Sequence, residues 1–136
     1  LGDVYKRQLM DFFIQRNAPE VIRRALRTVT DVRVAAAIPH GWSAGDGPVI
    51  TVASDGSPHA TRATVTENVR VNVYGKYEPE VRQIASLVSA WLLNPRSIGG
   101  FRISPGPVLV VKDEDTKGWV AAVTVVAAST KEGIAR

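Results

Sequence analysis

Residues 67–75 read ENVRVNVYG, and residues 78–93 read EPEVRQIASLVSAWLL; the join between them decides the fold. In the first block Val69, Val71 and Val73 point one way while Arg70, Asn72 and Tyr74 point the other, the period of a strand with one buried face. In the second, Val81, Ile84, Ala85, Val88, Trp91 and Leu92 repeat at helical spacing, with Pro79 in the first turn and Asn94 and Pro95 as the stop. A strand that runs through a two-residue link into an amphipathic helix is a unit in which the helix folds back onto the sheet.

Working towards the N-terminus, SDGSPHATRAT (54–64) carries turn chemistry and VITVA (49–53) reads as a strand. PHGWSAGDGP (39–48) breaks the pattern with three Gly and two Pro, the mark of a surface loop. VRVAAAI (32–38) alternates as a further strand. Before it Val21, Ile22, Ala25, Leu26 and Val29 form one face of a helix that starts at Asn17 or Ala18, has Pro19 in its first turn and ends near Thr30. Its other face carries Arg23, Arg24 and Arg27. LMDFFIQR (9–16) reads as the remnant of an earlier helix. Residues 1–8, LGDVYKRQ, read as a translated adapter foreign to the domain, and the absence of an initiator Met fits a chain that lacks its true start.

Towards the C-terminus, PVLVVK (107–112) and WVAAVTVVA (119–127) are strands separated by the acidic, glycine-containing turn DEDTKG. Both are apolar on both faces, which points either to a sandwich of layers or, in slight preference, to a partner subunit on the side the helices leave bare. The expected architecture is α+β: a mostly antiparallel sheet of about five strands with two main helices on it, in the order α-β-β-β-α-β-β. At 136 residues one domain, residues 9–136, is expected.

The charge balance, 17 Lys and Arg against 13 Asp and Glu, allows weak contact with nucleic acid but is modest beside dedicated DNA binders. With no Cys, disulfides, thiolate zinc sites and cysteine nucleophiles are excluded. No apolar run approaches the roughly 18 residues of a membrane span, and no secretory signal is evident, so a soluble protein made inside the cell is expected, with no membrane partner. His40 and His59 stand in separate loops without a second ligand at metal-binding spacing. No G-x-S-x-G elbow or phosphate loop occurs, and GDGP (45–48) and SIGG (97–100) read as turns. Asp113, Glu114 and Asp115 lack the alternating spacing of a calcium loop, and Glu67 and Glu78 lie too far apart to act as an acid and base pair. The expectation is no enzyme, no cofactor and no metal. Among the tryptophans, Trp91 belongs to a core stripe, whereas Trp42 in a polar loop is placed to anchor a partner.

The stretches ENVRVNVYGKYEPEVRQIASLVSAWLL (67–93) and GPVLVVKDEDTKGWVAAVTVVAAS (106–129) together resemble the small tail terminator, or tail completion, proteins of long-tailed bacteriophages. The likeness is one of pattern and order, spans roughly residues 19–129 and involves no catalytic motif. Where that family often has a Pro, Arg and aromatic cluster after the acidic turn, this chain has Lys117, Gly118 and Trp119. The resemblance implies a virion protein of the tail-neck junction, assembled in the host cytoplasm. It would cap the tail tube as a ring, usually a hexamer, stop tube polymerisation and provide the head-joining surface. Its partners would be itself, the tail tube protein and a head-neck connector protein, with non-specific contact to genomic DNA passing through the ring. A ring needs two different complementary faces on each subunit. The residues expected at subunit or partner interfaces are Arg23, Arg27, Trp42, Val108, Val110, Trp119, Val123 and Val125. The alternatives are a head-side neck or connector protein, a basic DNA-binding accessory domain, and a small enzyme with an unrecognised site.

Overall fold

The alternation at 67–75 belongs to a longer strand in the computed structural model, which describes residues 13–94, 98–104, 106 and 108–133. That strand, β4 (Thr64–Gly75), is preceded by β1 (Phe13–Ile14), helix α1 (Ala18–Val29), β2 (Arg33–Ala35) and β3 (Val49–Ala60). It is followed by helix α2 (Glu78–Leu92), β5 (Arg102–Ser104), β6 (Val108–Asp113), β7 (Gly118–Thr130) and β8 (Glu132–Gly133). The α+β class and the order α-β-β-β-α-β-β of the main elements are as the sequence pattern implies. The two strands of the C-terminal half are ordered as an antiparallel hairpin, β6 to β7.

One six-stranded sheet carries the fold, in the order β2-β3-β4-β7, with β5 and β6 end to end along the outer side of β7. Among the described strands only the β2–β3 pair is parallel. A parallel neighbour cannot be reached through a tight turn, and residues 36–48 supply the crossover. Within it a 3-10 turn, Ala44–Asp46, is capped by Ser43, whose N–H donates to Asp46 Oδ2 at 2.7 Å. β1 and β8 form a separate two-stranded pair that joins the described ends of the chain.

Both helices lie on one face of the sheet. Asn17 caps α1, its Oδ1 accepting the Glu20 N–H at 3.1 Å, and Pro19 sits in the first turn. Ile22 and Leu26 of α1, and Val81, Ala85, Val88 and Leu92 of α2, pack onto Ile50, Val52, Val69, Val71, Val73, Ala121, Val123, Val125 and Ala127. Burial of each large aliphatic side chain in this layer stabilises the fold by about 1.5–3 kcal/mol. Where β4 gives way to α2 the backbones come very close. A Cβ on Gly118 would collide with the Gly75 carbonyl and with Ala44 Cβ, and one on Gly75 would meet Val81 Cγ2. The link Lys76–Tyr77 can be so short because no side chain intervenes there.

Several boundaries differ from the sequence expectation. The run 54–60, expected as a turn, continues β3, and its turn-forming residues serve as irregularities: the register with β4 shifts between Ser54 and Gly56 and again between Gly56 and His59, with Gly56 at φ +108°. The reversal comes later, at Thr61–Thr64, where the Thr61 N–H donates to Thr64 O at 2.8 Å. β2 is only three residues long, against the seven expected, because its partner β3 is reached only over 49–51. In the stretch 9–16, Phe13 and Ile14 are strand rather than helix. Residues 1–12, including the adapter-like 1–8, lie outside the described residues, as does Pro95. Among the described residues, no helix is long and apolar enough to cross a membrane.

Candidate interaction surfaces

The sheet's two edges are finished in different ways. On the β2/β3 side, α1 reaches down with two arginines: Arg23 Nη1 donates to Val52 O at 2.8 Å, just past the point where β2 stops covering β3, and Arg27 donates through Nε and Nη2 to Val34 O at 3.3 and 3.0 Å. Further along, the uncovered part of β3 carries the two register shifts and Asp55, paired with Arg70 at 2.9 Å. Bulges and inward-turned charges are devices by which sheets blunt an edge.

On the opposite edge the charges stand at the ends, Arg102 on β5 and Lys112 and Asp113 on β6, and the run Val108–Val111 between them carries none. β6 pairs with β7 on its inner side, with Val108, Val110 and Lys112 opposite Val123, Ala121 and Trp119 on the helix side of the sheet, and Leu109 and Val111 opposite Ala122 and Val120 on the other. Among the described residues, no strand pairs with its outer side. Val108 is 47%, Leu109 60% and Val111 41% exposed.

The face of the sheet away from the helices continues this surface inward. Across the strands β3-β4-β7-β6, one row reads Val49, Tyr74, Val120, Val111 and the next Thr51, Asn72, Ala122, Leu109. Val120, Ala122 and Val126 are half-buried. Trp42 covers one corner: its indole N–H donates to Gly47 O at 3.1 Å, and its ring meets that of Tyr74 edge to face at 6.3 Å. Asn72 Nδ2 donates to Tyr74 Oη at 3.2 Å, while its Oδ1 is buried without a protein partner.

The expected interface residues therefore separate into groups. Val123 and Val125 are fully buried beneath the helices and are core residues, which corrects their assignment to a surface; in a strand of period two, their neighbours Val120, Ala122 and Val126 occupy the outward face. Val108 and Val110 lie on the bare strand. Trp119 is half-buried against the core on the helix side. Trp42 anchors its own loop. Arg23 and Arg27 direct their donors to their own sheet's edge, and Arg24 makes an exposed pair with Glu20 at 3.1 Å.

On the helix layer, Trp91, expected in the core, is half-buried instead. With Val29 of α1 and Ile84 and Leu87 of α2 it lines an apolar groove of about 280 Å³ between the helices. Leu87 is 64% exposed.

The acidic and histidine side chains singled out in the sequence lie apart. Glu67 is buried and accepts from Gln15 Nε2 at 2.8 Å, a contact that ties the N-terminal segment to β4. Glu78 begins α2 and pairs with Arg82 at 2.6 Å, roughly 25 Å along the strand direction from Glu67. His40 lines a shallow depression with Arg33, Trp42 and Asp46, whereas His59 lies on β3 near its hairpin end. Asp113 is used within its own turn, accepting from Thr116 Oγ1 at 2.5 Å and from the Asp115 N–H at 3.3 Å. Among the described residues no three His, Asp or Glu side chains are grouped as a metal site.

Leu109 and Val111 belong to the run 107–112 expected to meet a partner, and they stand on its helix-free face. Gln15 carried no signal, since its partner Glu67 is 52 residues away. The sequence matches no known protein family and no curated protein.

Proposed function

We propose that the chain is a structural subunit of a phage tail, a tail terminator that caps the tail tube as a ring, ends its polymerisation and offers a surface to the head-neck connector. The observation that carries the reading is the bare, two-faced apolar strand at the edge of a two-layer domain, taken together with the likeness of pattern across residues 67–93 and 106–129. Contiguous exposed apolar side chains of this kind mark surfaces meant to be covered by protein. The helix-free rows through Val120 and Ala122, and the groove between α1 and α2, offer further and different surfaces, which a closed ring of head-to-tail contacts requires.

The test is assembly. Tube protein polymerised with this chain gives tubes that stop growing and carry extra density at one end in electron micrographs. Tubes that grow on unhindered, with bare ends, overturn the reading. Association with a head-side portal ring but not with the tube would assign the chain to the other side of the neck.

A further inference from the structure

The two edges of the sheet differ in charge as well as in cover. The order β2-β3-β4-β7, with β6 outside β7, sets β2 and β6 four strand spacings apart, about 19 Å. Beside β2 stand Arg27, in the last turn of α1, and Arg33. Beyond β6 the turn to β7 carries Asp113, Glu114 and Asp115. We infer that Glu114 and Asp115 of one copy of this chain dock on Arg27 and Arg33 of the next, edge to edge.

Each half of the contact is held in place by its own subunit. Asp113 is spent inside the turn, on Thr116 Oγ1 and the Asp115 N–H, and the Ala44 N–H donates to Thr116 O at 3.4 Å. Glu114 and Asp115 are left exposed, and among the described residues neither carboxylate has a partner. Arg27 is exposed and fixed by its fork on Val34 O, which uses two of its N–H groups and leaves its charge and the others for an acceptor. The Arg33 side chain is exposed and has no partner among the described residues. Groups fixed before a contact forms lose little entropy in making it.

Height along the strands decides whether such contacts close into a ring. Arg33, Val49, Tyr74, Val120 and Val111 form one row across the sheet. The acidic turn starts two residues past Val111, so it lies only about 7 Å beyond that row. Two complementary patches at nearly one height on opposite edges give head-to-tail contacts about an axis along the strands, whereas a large offset would wind the copies into a helix. Lys112 and Lys117 flank the turn, and Asp31 and Asp46 stand near Arg33, so each patch also holds charges of the other sign. Mixed patches of this kind attract in one register and repel in others. Opposite charge, opposite edges and matching height on a single chain name a second copy as the occupant. The inference rests on the reading of the chain as a ring subunit, for which it names one contact.

The experiment uses the chain alone, at high micromolar concentration, followed by light scattering and sedimentation. Exposed pairs are individually weak and screened, so association beyond a dimer is expected at low ionic strength, and high salt weakens it at least tenfold. Arg27→Glu with Arg33→Glu in one variant, and Glu114→Lys with Asp115→Lys in another, each leave the chain monomeric. Mixed in equal amounts the two variants associate again, because each turn then meets a patch of opposite sign. A wild-type monomer, a mass that stops at a dimer, or variants that associate as the wild type does overturn the inference. So does a mixture that stays monomeric. If loss of the Arg27 contact to Val34 unfolds the first variant, Arg33→Glu alone replaces it, since that side chain bonds to nothing among the described residues. Tube capping is scored separately. Capped tubes with no rescue in the mixture leave the tail reading standing without this contact, and tubes that grow on beside a rescued mixture do the reverse.

Discussion

Arg23 and Arg24 are adjacent in sequence and belong to the same basic run, yet their guanidinium groups meet different surroundings. Arg23 satisfies the Val52 carbonyl at the point where β3 loses its neighbour, and Arg24 shares an exposed pair with Glu20. A hydrogen bond from a charged donor to a partly buried carbonyl contributes more than a solvated ion pair. We expect Arg23→Ala to cost about 1–2 kcal/mol in urea unfolding and Arg24→Ala less than about 0.5 kcal/mol. Equal losses would show that the contact to β3 contributes nothing. Gly118 presents a sharper case, since the atoms a Cβ would strike are the Gly75 carbonyl and Ala44, neither of which can swing aside. Gly118→Ala is expected to destabilise by about 1–3 kcal/mol, the range for overpacking, and the same method reads it. A neutral outcome would mean that β4 and β7 can separate at this end without loss.

Helix α2 has two apolar stripes, and only one of them is core. Val81, Ala85, Val88 and Leu92 are buried against the sheet, whereas Ile84, Leu87 and Trp91 turn toward the groove beside α1. Helical periodicity finds apolar positions but cannot say which part of a wide stripe meets the sheet, and for that reason Trp91 read as core. Trp91→Ala is expected to cost about 1–2.5 kcal/mol, below the roughly 3–5 kcal/mol of a fully buried large aromatic. Leu87→Ser should change stability by less than about 0.5 kcal/mol. Thermal unfolding of the two variants checks the ordering. The same limit governs the strands. The valines of β4 were legible because one face is dry and the other wet, but Ser54–Ala60 carry turn residues that a strand can absorb as bulges, so β3 read short. β1, β5 and β8, with two or three residues each, have no period to detect and exist through the strands they pair with. For β6 and β7, apolar character on both faces was visible, yet which face the helices cover is settled only by register, and this placed Val123 and Val125 in the core.

At the scale of the whole molecule the charges are sorted along the strands. Among the described residues, Arg16, Arg62, Arg102 and Lys131 stand at the hairpin end, against Glu67. Around the opposite end stand Asp46, Glu78, Glu80, Asp113, Glu114 and Asp115, with Lys76, Lys112 and Lys117 among them. Among the described residues, positive charge is therefore in excess both at the hairpin end and on α1, where Arg23 and Arg27 keep their charge while donating to the sheet edge and Arg24 is offset by Glu20. Backbone contact with DNA releases counterions in proportion to the phosphates neutralised, so a small basic end gives a shallow salt dependence. We expect duplex binding, followed by fluorescence anisotropy, to be weak and to vanish near physiological salt, with a slope corresponding to roughly two to four phosphates. Reversing Arg62 and Lys131 to Glu should abolish what binding there is at low salt, because it inverts the field at the end that attracts the polyanion. Reversing Arg24 should leave it nearly unchanged, its charge being offset four residues away by Glu20. If instead the Arg24 variant loses binding and the Arg62 and Lys131 variant keeps it, the helix face is the surface that DNA meets. The sorting of charge along the strands would then have no part in nucleic-acid contact.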